Sequence, residues 1–523
     1  MSNHLRKTDD VIPASRTHRK KWLAVGIAGV AGVVGLGMVA ATNASAVTRL
    51  SDGGQHGQRD DSGPGKGRDG GDGDRHEEDG KKASFVPCDS TALFAAINEA
   101  NQRLGATLKL ARGCTYELRS GTATTTGSNA LPPITSDITI LGEHSVLERA
   151  FDLPSAPPTL FRIFQVSAGG SLRLSDTTLR NGLVTAAPGG GAILVQAGGR
   201  AELKDVKLTQ NNAAGAGVNG GAITNEGTTV LKDTSLTLNN AGANGGAVFN
   251  TGTLTSEKSY FEANKAQSPA PAGGGAIASA AGTVTIRKSQ FVGNQTAGNG
   301  GGLLLAGGSG DVSDSLFRLN VALGNGGGIA NTGGNLQLRN VKFVQNTSIL
   351  AGAGLFTGAG TTTTILDGDD KWPTELTEQH RGEAREKESK GKAEKADGRG
   401  GNDSDKQYGP ESRDYEKKLE QHAGTTFYGN VAGTTGGAIS NAGILTVADT
   451  VILRNQAATT GGGINNAAGA TLVVRGSVIT ENQAGATGGG IFNAGTATID
   501  VRTLVFRNNP NNCAGTAITN CQG

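Results

Sequence analysis

Residues 245–264 read GGAVFNTGTLTSEKSYFEAN, and residues 436–455 read GGAISNAGILTVADTVILRN. Both stretches open on a Gly pair. Each then places an apolar residue (Val248, Ile439), an Asn two positions on (Asn250, Asn441), a second large apolar residue (Phe261, Ile452) and an Asn three positions after that (Asn264, Asn455). Outward from these two stretches, the first apolar position recurs as Ile193, Ile223, Val248, Ile277, Leu303, Ile329, Leu355, Ile439, Ile464 and Ile491. Successive gaps are about 25 to 30 residues with one of 84, and a regular period of this size marks a solenoid. A second column keeps the register: Leu208, Leu236, Phe261, Phe291, Phe317, Phe343, Phe427, Ile452, Ile479 and Phe506. Five residues before most of these stands a third: Leu203, Leu231, Ile286, Val312, Leu338, Val447, Val474 and Val501.

Each repeat supplies short strands with one apolar face, too little to fold alone. Stacking repeat on repeat buries every inner face and pairs every backbone group along the stack. The expected architecture is all-β: a single-stranded, right-handed parallel β-helix of about 12 coils, its hand following from the right-handed preference of parallel crossovers. Two polar columns fit this scaffold. One runs Asn211, Asn239, Asn264, Asn294, Asn320, Asn346, Asn430, Asn455, Asn482 and Asn509; the other holds Asn225, Asn250, Asn331, Asn441, Asn466 and Asn493. A side-chain amide both donates and accepts, so stacked copies can bond along the axis, and Asn tolerates the left-handed backbone of a tight corner.

The rest of the chain frames this repeat. With 84 Gly, 4% aromatic and 36% hydrophobic residues, several separate compact cores cannot be built, and the Gly lacks the three-residue period of collagen. A formal charge of +2 gives no field toward nucleic acid. At the start, Arg19, Lys20 and Lys21 precede an apolar run from Trp22 to Ala41, then Ala44-Ser45-Ala46. Residues 1–46 read as a signal peptide cut between Ala46 and Val47, with a retained anchor as the other reading. Residues 47–84 read as a disordered, charged, Gly-rich linker, and 85–523 as the β-helix. Within it, 85–120 form an N-terminal cap, where Leu93, Ile97, Ala100 and Leu104 at helical spacing predict a capping helix started by Asp89 or Ser90. Residues 367–423 read as a disordered charged insertion, a solvated protrusion dispensable for folding, and 508–523 as a C-terminal cap. Cys88, Cys114, Cys513 and Cys521 are the four cysteines, an even number that in an exported chain reads as disulfides. Spacing favours Cys88 with Cys114 and Cys513 with Cys521.

Gly-Gly-Ala-Ile-x-Asn (Gly220 to Asn225, Gly436 to Asn441) together with Phe-x-x-Asn (Phe261–Asn264, Phe291–Asn294, Phe343–Asn346) resembles the polymorphic outer-membrane protein repeat. The stretch from Cys88 through Ala96, Ile97 and Asn101 resembles the leader that precedes secreted bacterial β-helices. The resemblance implies surface display and adhesion. The chain departs from that family in closing at Cys521 and Gly523 without a membrane-embedded barrel, so the expectation is a secreted or loosely surface-associated monomer, without a stable membrane span once the signal is removed.

Parallel β-helices also carry polysaccharide lyases and hydrolases, which set carboxylates side by side on adjacent coils. Asp176, Asp205 and Asp233 are the candidates: they stand three residues before the second column in three successive repeats. Further along, that position drifts through Lys258, Lys288, Asp314, Asn340, Asp449 and Gly476, as an exposed corner would. Lys204 and Lys232 precede two of the three Asp residues. His144 is the only His outside the signal, linker and inserted segments, no Cys-x-x-Cys or phosphate loop occurs, and neither a metal nor a cofactor is implied. The expected role is an adhesive or structural interaction scaffold for an extracellular ligand, a polysaccharide or a cell-surface protein. The alternative is a polysaccharide-active enzyme of the same fold. A deep groove of converging acidic and basic side chains would favour the enzyme; a flat face of Thr, Ser, Asn and Gly would favour the binder.

Overall fold

The computed structural model describes residues 83–150, 159–366 and 424–521, all within one compact unit, Glu77–Gly523. The expected signal peptide with its Ala46–Val47 junction, almost all of the 47–84 linker, and the 367–423 insertion lie outside the described residues.

One turn of the chain shows how the repeat folds. Val248–Asn250, Thr253–Glu257, Tyr260–Glu262 and Lys265–Ala266 are four short strands separated by sharp corners. The first strands of successive turns stack into a 12-stranded sheet, the fourth strands into a 10-stranded sheet, and the middle two into one long sheet of 25 strands. The pairings between turns are parallel and in register: Val248 lies between Ile223 and Ile277, and Phe261 between Leu236 and Phe291. The chain makes about 13 turns. A hairpin of Thr122–Thr124 with Gly127–Asn129 is antiparallel. The long gap in the repeat leaves the stack intact, since Phe343 pairs directly with Phe427 and Leu355 with Ile439.

The apolar columns form one continuous core in which Ile277, Phe291, Leu338 and Ile439 are fully buried. Five phenylalanines stack face to face along it, with centroids 4.5 Å apart from Phe261 to Phe291 and from Phe291 to Phe317. The Gly pair has a steric cause. Gly245 takes φ +67°, and a Cβ on Gly246 would come within 2.1 Å of the Gly275 carbonyl of the next turn.

Both corners of the long sheet have the same construction: a residue in the left-handed region, then a buried polar residue that ladders. After Leu238, Ala263, Leu319 and Gln345, all at positive φ, come Asn239, Asn264, Asn320 and Asn346. Asn320 accepts from both the backbone N–H and the amide of Asn294 at 3.0 Å, and its own amide donates to Asn346 Oδ1 at 3.0 Å. Between the two middle strands, Lys258, Lys288 and Asp314 take positive φ and are followed by Ser259, Ser289 and Ser315. Each Ser hydroxyl accepts the backbone N–H of the preceding turn's Ser or Thr, as in Ser259 to Ser289 at 3.1 Å.

The last coil is shifted by one residue from the spacing expected of it. Val505, not Phe506, pairs with Ile479, and Asn508, not Asn509, receives the Asn482 amide at 2.9 Å. Ile499 pairs with Val474, leaving Val501 83% exposed. The turn at Asp500 holds an extra residue that repeat counting cannot see.

The first strand, β1 (Ser84–Val86), already includes Ser84 and pairs with β2 (Gly105–Leu110). Helix α1 (Ser90–Gln102) buries Leu93, Ile97 and Ala100, and Asp89 caps it by accepting the Ala92 N–H at 2.9 Å. Leu104 falls outside the helix, at positive φ and 83% exposed. Cys88–Cys114 joins the approach to α1 to the strands after it, and Cys513–Cys521 closes the other end.

Candidate functional site

The three carboxylates singled out by spacing occupy the corner between the two middle strands in three successive turns, where φ is +51° at Asp176, +55° at Asp205 and +50° at Asp233. Asp, Asn and Gly take this conformation at least cost, so backbone demand accounts for the column. Asp176 is held by His144, whose Nδ1 lies 2.6 Å from a carboxylate oxygen and whose N–H donates to the other. The backbone N–H groups of Asp205 and Asp233 donate to carbonyls of the next turn, and their side chains are exposed. Lys232 points instead to Glu202, at 2.7 Å, and that hydrogen bond holds the Glu202 carboxyl below the usual range.

The same corner column does enter a groove further along. Lys288 and Asp314 belong to it, and with Glu257, Arg287, Asp311 and Arg339 they line a groove of about 530 Å³ across the outer face of the long sheet. Strand alternation sets the other lining groups. Leu254, Ile286, Val312 and Leu338 point inward, so Glu257, Arg287, Asp311, Gln337 and Arg339 project to solvent from four adjacent rungs about 4.8 Å apart. Leu366, the last described residue before the insertion, closes one end. Arg287 faces Asp311 at 4.0 Å with both side chains more than half exposed, and the Asn340 amide donates to Asp314 at 2.8 Å. Among the described residues three acidic and three basic side chains line the groove, and their formal charges cancel. Alongside it the sheet face is hydroxylic, with Thr253, Thr255, Thr283, Thr285 and Ser309 directed outward. Among the described residues no group of three His, Cys, Asp or Glu side chains converges as a metal site requires, and no helix is long and apolar enough to cross a membrane.

Two further sites were not legible in the repeat. Arg162 is 1% exposed, with Nη1 donating to the Thr126 carbonyl at 2.9 Å and to Asn129 Oδ1 at 3.1 Å; burial pulls its pKa down to about 10. It anchors the antiparallel hairpin, in a part of the chain where the columns are irregular. Asp500 staples the last turn. Burial raises its pKa, yet the Thr503 hydroxyl, the Gly476 N–H and Arg502 together hold it at about 2. Asp-x-x-Thr is a local signal for such a turn, hidden here by the break in register.

A family model described as the right handed beta helix region matches residues 163–367. The chain folds as a right-handed parallel β-helix. Among curated proteins none matches it by sequence. Solved structures similar to it include two variants of the tailspike protein of E. coli bacteriophage HK620. One, in complex with a pentasaccharide, is 12% identical over 79% of this chain and 66% of its own, with a TM-score of 0.38. The other, in complex with a hexasaccharide, is 14% identical over 79% and 66%, with a TM-score of 0.32. Likeness at this level reaches no further than the fold.

Proposed function

We propose that the protein is an exported binding scaffold whose groove between Glu257 and Arg339 holds a segment of an extended, polyhydroxylated ligand, a neutral polysaccharide. The observation that carries this reading is the groove itself. Carboxylate, guanidinium and amide groups repeat at the rung spacing on a rigid parallel sheet, and such planar groups match pairs of neighbouring hydroxyls with two hydrogen bonds at once. Balanced charge favours a neutral chain over an acidic one. The rungs are fixed on both sides by backbone pairing, so little ordering is needed on binding. Export is supported by the basic and apolar start of the chain and by the paired cysteines, and surface display by the Gly-Gly-Ala-Ile-x-Asn repeat.

Glycoside cleavage calls for one carboxyl kept protonated in a sheltered pocket. Asp311 is instead 52% exposed and faces a guanidinium, which favours holding a ligand over cutting it. The test is a panel of neutral and acidic polysaccharides, scored for binding and for release of reducing ends. Binding to neutral members, weakened at least tenfold by Arg287→Ala with Arg339→Ala, and no reducing ends released, is the expected result. Reducing ends that vanish with Asp311→Asn would make the protein a hydrolase, and binding indifferent to both substitutions would place the ligand elsewhere.

A further inference from the structure

Exposed apolar side chains gather on one stretch of the 10-stranded sheet. Eleven large hydrophobic residues are exposed among the described residues, and five of them fall in three consecutive turns along this sheet: Leu319, Leu323, Ile349, Leu350 and Val431, each between 41% and 54% exposed. Ala322, Ser348 and Ala432 are buried and point inward, so Val321, Thr347 and Val431 on one side of them, and Leu323, Ile349 and Gly433 on the other, point outward in register. Neighbouring turns are polar at the same place. Asn212, Asn240, Lys265 and Gln295 precede Val321 in its column, and Gln456 and Gln483 follow Val431. Leu238 holds the corner position of Leu319 three turns earlier, but there Asn240 and Gly242 stand beside it. A contiguous set of open aliphatic side chains on rigid strands is an interaction surface.

We propose that this face binds the same face of a second copy of the chain, the two stacks running antiparallel about a twofold axis along the strand Thr347–Ser348. The face is self-complementary about that turn. On one side the adjoining rung carries Leu319, Val321 and Leu323; on the other it carries Gly429, Val431 and Gly433. An antiparallel partner therefore lays Leu319 over Gly429, Val321 over Val431 and Leu323 over Gly433, large against small, and each contact occurs twice, as an isologous interface requires. Ile349 and Leu350 meet their own counterparts, and one rung further out the Gln295 amide meets that of Gln456, each able to donate and accept. The hollow at Gly433 is fixed by the fold, because a Cβ there would lie 2.2 Å from the Ile349 carbonyl oxygen. A parallel partner would set Leu323 on Leu323 and Gly433 on Gly433, a clash beside a gap. Charge permits the contact: the columns of Val321 and Leu323 carry none from Gln295 to Gly485, and at the corner Arg454 is already paired with Glu481 at 2.7 Å. The rungs from Gln295 to Gln456 span roughly 19 Å, near the lower limit of about 1,000 Å² for a stable interface, so the dimer dissociates on dilution. The groove lies on the long sheet, outside this contact, and a dimer carries two of them.

Sedimentation velocity of the full chain over a dilution series tests this. Leu323→Lys and Ile349→Lys each place a charge on the face without touching the core, and Ile444→Lys does the same at a 53% exposed residue of the long sheet. Wild type and Ile444→Lys passing from dimer to monomer on dilution, with both face variants monomeric throughout and the thermal midpoint retained, is the expected result. A wild-type chain that is monomeric at every concentration, its face covered by something else or by nothing, would overturn the proposal. So would a dimer that persists in both face variants. Alignment is tested by cross-linking, since the four native cysteines are paired and an introduced Cys is the only thiol. With a short bismaleimide, Ile349→Cys should join to itself, and Val321→Cys should join to Val431→Cys in a mixture several times faster than to itself. Val321→Cys joining to itself as fast as Ile349→Cys does would mean parallel stacks and would contradict the pairing of Leu323 with Gly433.

Discussion

Asn320 joins three turns of the stack. Its oxygen accepts twice from Asn294, and its amide donates to the Phe291 carbonyl and to Asn346, all between 2.9 and 3.0 Å and fully buried. Asn320→Ala should therefore cost about 2 to 4 kcal/mol, since it strands buried donors on Asn294 and an acceptor on Phe291. Chemical denaturation measures the loss, and a value below about 1 kcal/mol would show that the ladder is ornamental. Asp205 is the contrast. Its conformation matters more than its charge, so Asp205→Asn should leave stability within about 0.5 kcal/mol of wild type, while Asp205→Val should cost about 1 to 2 kcal/mol for forcing a branched residue to positive φ. Asp500 adds a pH dependence. Its carboxyl titrates near 2 when folded, against about 3.9 in an unfolded chain, so its contribution is complete above that higher value and disappears as pH falls through the lower one. The protection factors of the Gly476 and Thr503 amides, taken against intrinsic exchange at each pH, should fall between about pH 4 and 2, and Asp500→Asn should abolish that acid-induced step. The inward columns were readable in the sequence because every coil repeats them. Asp500 and Arg162 were not, because each serves a place where the repeat breaks.

At the scale of elements, the strands and corners follow from the columns, and the ends follow from local rules. The capping helix announced itself through Leu93, Ile97 and Ala100 and through Asp89, whose side chain satisfies the Ala92 N–H. Its end was read too far, at Leu104, because helical spacing alone does not reveal where a following strand takes over. The Ser and Thr ladder beside the charged corner went unseen for another reason: Ser259, Ser289 and Ser315 look like loop residues until their hydroxyls are found bonding between turns. The Cys88–Cys114 bridge closes a separation of 26 residues, worth about 3.5 kcal/mol by the loop-entropy model. Cys88→Ser with Cys114→Ser should lower stability by about that amount and promote self-association through the uncovered first rung. Cys513→Ser with Cys521→Ser should fray only the strand Cys513–Gly515. Hydrogen exchange resolved along the chain distinguishes the two, and global destabilisation from the second pair would contradict the assignment.

For the whole molecule, a stack of nearly identical turns makes stability repetitive and leaves the outer faces free to vary. The fold was legible because its cause is repeated at every turn, whereas the groove is built from outward positions that no column constrains: Glu257, Arg287 and Arg339 share one place in the turn and Asp311 and Gln337 another, with no residue type held in either. Asp176, Asp205 and Asp233 drew attention because they do share a type, and their shared backbone conformation is the reason. The groove carries the central functional claim. A crystal of the protein soaked with the tightest-binding polysaccharide fragment tests it most directly. The account predicts sugar density along the outer face between Glu257 and Arg339, with hydroxyls within hydrogen-bond distance of Arg287, Asp311 and Gln337. Density lodged at the Asp176–Asp233 corners or at either end of the stack, with this groove empty, would contradict it.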